Sequence, residues 1–237
     1  MAKGAGLAAY QDLVIGSRSF WALAKYELIM LLCQNTAGAL GLVLRKKLYP
    51  MLLGACGKGC VFGRGITLRH PGKIRLGAGV VIDDNAMIDA KGDNNAGIDL
   101  ADGVYIGRNS IVYTKNGDIR LAAKANVSHN CELFSSNLLT VGPGAFIAAY
   151  SYLLSGGEYA IDGDTPLVDQ DGATDKPPTR VGGNTWVAAH CIVSDGSTIG
   201  DDTVIAANSL VRGDIPSGVL AGGTPAKVIR PRRMGRE

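Results

Sequence analysis

Long apolar runs are missing from this chain. No stretch reaches the roughly 18–20 uncharged residues that a membrane-crossing helix needs. Residues 1–10 also lack the apolar core of a cleavable signal peptide. Aromatic residues make up only 6% of the 237, which suits a thin core and excludes one built on large rings. The five cysteines, Cys33, Cys56, Cys60, Cys131 and Cys191, are scattered, odd in number and never spaced as a CxxC pair. That spacing supports neither a zinc site nor a disulfide framework, and it fits a reducing, cytoplasmic setting. The three histidines, His70, His129 and His190, lie about sixty residues apart, so no close pair is present to seed a metal centre. Net charge is only +3, so the chain as a whole carries no nucleic-acid footprint.

What the chain does have is 33 glycines and a six-residue beat. The beat is clearest over residues 181–211. There Val181, Val187, Val193, Ile199, Ile205 and Val211 fall six apart, followed by the small Gly182, Ala188, Ser194, Gly200 and Ala206. Helices repeat every three or four residues and free-standing strands every two. A strict six fits a coil of short flat faces, each turning one branched side chain inward. Phe62, Leu68, Leu76, Ile82 and Ile88 extend the beat backwards, and Leu100, Ile106, Val112, Leu121, Val127, Leu133, Val141, Ile147 and Leu153 join the two parts. Its slips coincide with turn-forming clusters: His70-Pro71-Gly72, Asp93-Asn94-Asn95 and Asn116-Gly117-Asp118. This pattern predicts an all-β fold, a parallel β-helix of hexapeptide repeats over residues 58–216. Residues 155–180 break the beat with Gly, Pro and acids, and a long insertion in a compact repeat is expected to be functional.

Residues 1–57 differ in kind and read as an N-terminal helical extension. Apolar residues recur at helical spacing over residues 21–32, interrupted by Lys25 and Glu27. A second apolar stretch, residues 37–44, ends in Arg45-Lys46-Lys47 and is stopped by Pro50. Two uses are open, and they are compatible. The helices can cap the open end of the coil stack, where core and strand edges would otherwise be bare. Residues 10–53 can also lie on an anionic membrane surface with the basic cluster at the headgroups, which would place a cytoplasmic protein at the inner face of the membrane. The tail, residues 217–237, gathers Lys227, Arg230, Arg232, Arg233 and Arg236. It reads either as a solvated end or as a contact for a phosphate-bearing ligand.

The second half of the chain resembles a known family. Gly182-Gly183-Asn184-Thr185-Trp186-Val187-Ala188-Ala189-His190, Thr198-Ile199-Gly200-Asp201-Asp202, Asp214-Ile215-Pro216 and the ending Ala221-Gly222-Gly223-Thr224-Pro225-Ala226-Lys227-Val228-Ile229-Arg230 carry the resemblance. They are similar to the hexapeptide acyltransferases, especially the maltose and galactoside O-acetyltransferase group. The resemblance covers roughly residues 58–232. It implies a left-handed β-helix, a homotrimer with sites between neighbouring subunits, acetyl-CoA as donor with no metal, and a sugar or glycan acceptor. By position, Ala189 and Ala207 match small residues along the pantetheine arm, and Lys227 and Arg230 match basic side chains at the coenzyme phosphates. Charge-assisted bonds to phosphate suit those two.

The catalytic base is where the sequence departs from that group. Its histidine before the long loop is replaced here by Glu158, in Leu154-Ser155-Gly156-Gly157-Glu158-Tyr159. The first candidate for the base is His129, because Val127-Ser128-His129-Asn130-Cys131 resembles the His-Asp-Cys segment of acyltransferases acting on UDP-linked amino sugars. Imidazole suits general-base work near neutral pH. Asn130 matches an acceptor-binding asparagine. Glu158 is the second candidate, as base or as partner of His129, and His190 the third; His70, before Pro71, reads as a turn residue. The expected activity is acetyl transfer from acetyl-CoA to a sugar hydroxyl. The alternatives are N-acetylation of a nucleotide-linked amino sugar, a metal-dependent hydratase of the γ-carbonic-anhydrase kind, and a non-catalytic scaffold.

Overall fold

The computed structural model describes residues 5–157, 159, 162–170 and 176–233. Glu158 lies outside the described residues. Within them the beat becomes a parallel β-helix whose strands gather into three sheets of eight, nine and seven. Face A runs from Ala55–Cys56 to Asp214–Ile215. Face B runs from Val61–Phe62 to Ala226–Pro231, and face C from Thr67–Arg69 to Leu210–Val211. The chain visits A, B and C in turn. Each strand therefore pairs in parallel with the one a coil away, as Val61 does with Val81 and Val81 with Tyr105.

The twenty positions on the beat all point inward, and none is more than 4% exposed. Branched side chains serve there because their stiff χ1 angles fit a narrow pleated core. The coils continue past residue 216: Val219–Gly223 still pairs in parallel on face B. Ala226–Pro231 then turns back antiparallel along it and covers that edge.

The other end is closed by helices. The chain opens with α1 (Ala5–Tyr10) and a π-helical turn, Gln11–Ile15. Then come α2 (Phe20–Cys33) and α3 (Gly38–Leu48). The Ser19 hydroxyl caps α2 by accepting from the Ala22 N–H at 3.4 Å. Tyr26, Ile29, Met30 and Cys33 of α2 join the coil core. Bare strand edges of the first coil are hydrogen-bonded by the helices. The Tyr26 hydroxyl donates to Leu68 O at 2.7 Å, Gly65 N–H to Gln34 O at 2.8 Å, and His70 N–H to Val14 O at 2.8 Å. Arg45 corrects one expectation. It does not sit with Lys46 and Lys47 at the surface but is 4% exposed, donating to the carbonyls of Phe62, Cys33 and Thr36 at 2.9, 3.0 and 2.8 Å. A guanidinium offers five donors, and here they serve three carbonyls at the cap.

The outer surfaces of the faces differ. Face A turns out the ladder Arg75, Asp99, Arg120, Thr140, Arg180, Thr198 and Asp214. Face B turns out Val61, Phe146 and Trp186, and face C Ile111 and Ile192; each is at least 37% exposed.

Candidate active site

The corner between faces B and C has the same shape in every coil. Two residues past each inward face-B residue the chain bends, and the third residue takes left-handed backbone angles. From the second coil up, the third residues are Asn85, Asn109, Asn130, Tyr150, His190 and Asn208, all at φ between 54° and 62°. Asparagine tolerates that region. Histidine is enriched there too, as His190 is at 59°, but Tyr150 at 62° is a bulky ring without that tolerance. Bulky side chains held there are strained, and strain of this kind concentrates at functional sites.

The residues just before them form a second column: Asp84, Arg108, His129, Ala149, Ala189 and Ala207. Backbone bonds fix the stacking. Asn130 N–H donates to Arg108 O at 3.0 Å, Tyr150 N–H to His129 O at 3.3 Å, His190 N–H to Ala149 O at 3.1 Å, and Asn208 N–H to Ala189 O at 3.0 Å. His129 therefore lies directly below three alanines in successive coils. Among the described residues, the amides of Ala149, Ala189 and Ala207 make no backbone hydrogen bond. The column thus presents three small side chains in register, with backbone donors left over along it.

Rings gather at the same corner. His129 meets Tyr150 edge to face at 5.7 Å, and Tyr150 stacks on His190 at 4.9 Å with planes 3° apart. The Ser128 hydroxyl lies 3.3 Å from His129 Nδ1. His129 and Asn130 are half-buried, while Tyr150 and His190 are exposed. Tyr150 is the residue the sequence reading missed. Its signal was a bulky ring in a column otherwise filled by asparagine and one histidine. His190, ranked third, shares the corner with His129. His70 is buried in the cap, with Nε2 2.8 Å from Asp12 O.

Ala207 sits in the last full corner, and the chain's closing turn lies over it. Gly223 N–H donates to the Ser209 hydroxyl at 3.1 Å. Lys227 and Arg230, both exposed, follow on the antiparallel strand beside face B. The insertion leaves elsewhere, at the corner between faces C and A. Gly156 N–H donates to Asp195 Oδ1, Lys176 Nζ lies 3.8 Å from Asp195 Oδ2, and Asn137 Nδ2 donates to Lys176 O at 2.9 Å. The buried Asp195 clasps both ends of the loop. Within one chain, the width of face C separates the loop root from His129. The strand Glu132–Ser135 spans that width, about 13 Å at 3.3 Å per residue.

Burial pushes the thiols of Cys33, Cys131 and Cys191 up, and that of half-buried Cys56 up to about 12. No group of His, Cys, Asp and Glu able to hold a metal occurs among the described residues.

Residues 178–213 match the bacterial transferase hexapeptide (six repeats) family model. The chain is 31% identical over 135 residues to WcaF of Escherichia coli, named for acetyl transfer in colanic acid biosynthesis; the match covers 55% of this chain and 70% of WcaF. It is 27% identical over 166 residues to a Mycobacterium tuberculosis protein named as an acetyltransferase. That match covers 70% of this chain, which spans about half, 52%, of the mycobacterial protein. The polysialic acid O-acetyltransferase OatWY superposes with a TM-score of 0.60 at 13% identity, covering 78% of this chain and 89% of that one; it shares the fold.

Proposed function

The chain belongs to the hexapeptide-repeat, left-handed β-helix acyltransferases, and from that membership we propose that it moves an acetyl group from acetyl-CoA to a hydroxyl of a sugar in a polysaccharide or its precursor. One observation carries the reading: His129 lies in register below Ala149, Ala189 and Ala207, whose amides make no backbone hydrogen bond.

The pantetheine arm runs along the alanine column, where small side chains leave room and the free amides donate to its carbonyls. The coenzyme phosphates reach Lys227 and Arg230. The thioester then lies beside His129. His129 takes the proton of the acceptor hydroxyl as that oxygen attacks the thioester carbonyl. The tetrahedral oxyanion is held by a backbone N–H. The C–S bond breaks, and the imidazolium returns the proton to the departing sulfur, giving the acetyl ester and CoA thiol. Asn130 orients the acceptor. Glu158 is a supporting carboxylate to His129.

The assembly is a homotrimer. The two faces flanking the His129 corner carry the exposed Val61, Phe146, Trp186, Ile111 and Ile192, while face A is polar. Burying those apolar faces against other copies brings a neighbour's surface to the corner. Light scattering tests this: an active monomer at micromolar concentration would contradict it. The protein acts in the cytoplasm, with its N-terminal helices peripheral to a membrane.

Thiol release from acetyl-CoA, with a panel of sugars and amino sugars, tests the activity. The chain's own buried thiols are slow to react under such assays. Acetyl transfer to hydroxyl acceptors is expected; transfer confined to amino sugars would replace the O-acetyl reading with N-acetyl transfer.

A further inference from the structure

Exposed apolar side chains are concentrated on the helical cap. Phe20, Trp21, Leu28, Leu31 and Leu32 of α2 are 44–81% exposed, as are Leu40, Leu42 and Val43 of α3 at 43–65%. These residues do not scatter. At 3.6 residues per turn, those of α2 form one stripe opposite the buried Tyr26, Ile29, Met30 and Cys33. On α3 the exposed side lies opposite buried Gly41 and Arg45. Each helix thus gives one side to the first coil and turns the other away from the stack. The result is an apolar plate across the end of the coil axis. Exposed apolar areas of this extent mark interaction surfaces.

Charge narrows the occupant. Lys46 and Lys47 are exposed beside the plate, and so is Lys25, whose ammonium donates to Met51 O at 2.9 Å. Residues 5–53 contain two acids, and both are occupied: Asp12 pairs with Arg18 at 2.7 Å, and Glu27 accepts from the Tyr10 hydroxyl. No helix among the described residues is long and apolar enough to cross a membrane. An apolar stripe with Trp and Phe, rimmed by lysines, is the chemistry of a helix lying in an anionic lipid interface.

We infer that the outer sides of α2 and α3 form a docking plate for an anionic phospholipid bilayer, which sets the coil axis along the membrane normal. His129 then stands three coils above the first. That is about 14 Å at 4.7–4.9 Å per coil, beyond a helix layer about 10 Å thick. Resting on the sugar-acetylating reading above, this directs the site to saccharide held about 25 Å from the bilayer, the outer part of a membrane-anchored glycan. In a trimer with parallel coil axes, three plates share one plane.

The test is vesicle flotation of the full chain with phosphatidylcholine alone and with phosphatidylcholine–phosphatidylglycerol mixtures. Binding to the anionic vesicles, weakened by salt, is expected. Lys46→Glu with Lys47→Glu should weaken it at least tenfold, since each cation near such a surface is worth about 1 kcal/mol. Leu28→Ser with Leu31→Ser should abolish it at any salt while leaving the thermal transition and CoA binding unchanged. In a Trp186→Phe background Trp21 is the remaining tryptophan, and its emission should shift to the blue with anionic vesicles. A chain that binds CoA yet ignores anionic vesicles overturns the inference. So does equal binding by both double variants, or a larger oligomer that Leu28→Ser with Leu31→Ser dissolves, which would make a second copy the occupant. Vesicle binding without acetyl transfer would instead uphold the plate and sink the enzymatic reading.

Discussion

The corner between faces B and C and the corner between faces C and A are made by the same repeat, yet they do opposite things. The first has one length throughout, with a left-handed residue at the same place in each coil. Its second-position residues therefore stack in register, and Ala149, Ala189 and Ala207 line up above His129. The second corner changes length along the stack, from the 3₁₀ turn Pro71–Lys73 to the insertion that Asp195 clasps. Constant geometry suits a long, extended ligand and a base that must be placed within a fraction of an ångström. Variable geometry suits recognition of the acceptor.

If the constant corner holds the chemistry, His129→Ala should cost roughly 10²–10⁴-fold in kcat with CoA affinity kept. Near wild-type turnover in steady-state assays would remove His129 as the base. A collapse in Glu158→Gln alone would move that role to the carboxylate.

The clasp of the variable corner comes next. Asp195→Ala leaves the Lys176 ammonium and the Gly156 N–H without their shared carboxylate. It should lower stability by about 2–3 kcal/mol, read by urea unfolding. Turnover of the acceptor should fall more than binding of CoA. Loss of CoA binding alone would mean that the loop root belongs to the coenzyme's side.

Lys227→Ala with Arg230→Ala should weaken CoA about tenfold and flatten its salt dependence, as expected for charge-assisted phosphate contacts. Unchanged calorimetric titrations would return the tail to solvent.

The smallest effect should come from replacing residues 162–170 by a shorter Gly-Ser linker. Loop-closure entropy changes slowly with length, so stability should stay within about 1 kcal/mol. The acceptor KM should rise while CoA affinity holds. A CoA defect would contradict the division between the corners.

Much of this division was legible beforehand, because the inward residue sets a phase. Counting from Val127, Val187 and Ile205 puts His129, Ala189 and Ala207 two places on, in one column. The slips at His70-Pro71-Gly72 and Asn116-Gly117-Asp118 marked the variable corner. Other features were not legible, for physical reasons. Tyr150 reads as one more outward residue until its backbone angles are known. Arg45 reads with Lys46 and Lys47 as a basic surface run, because the carbonyls that draw it inward belong to Phe62, Cys33 and Thr36. The ending Ala226–Pro231 reads as a tail, since its antiparallel pairing depends on the free edge left by Val219–Gly223. Glu158 is singled out by its sequence position before the loop, and the phase of the beat does not extend to it.

Titrating CoA into the wild type, Ala189→Trp and His129→Ala decides whether the alanine column is the coenzyme channel. Bulk forced into a fitted groove costs about 1–3 kcal/mol, so Ala189→Trp should bind roughly 5–150-fold more weakly. His129→Ala should bind as the wild type does. An Ala189→Trp protein that takes up CoA with undiminished affinity would place the coenzyme on some other surface and contradict the reading of this corner.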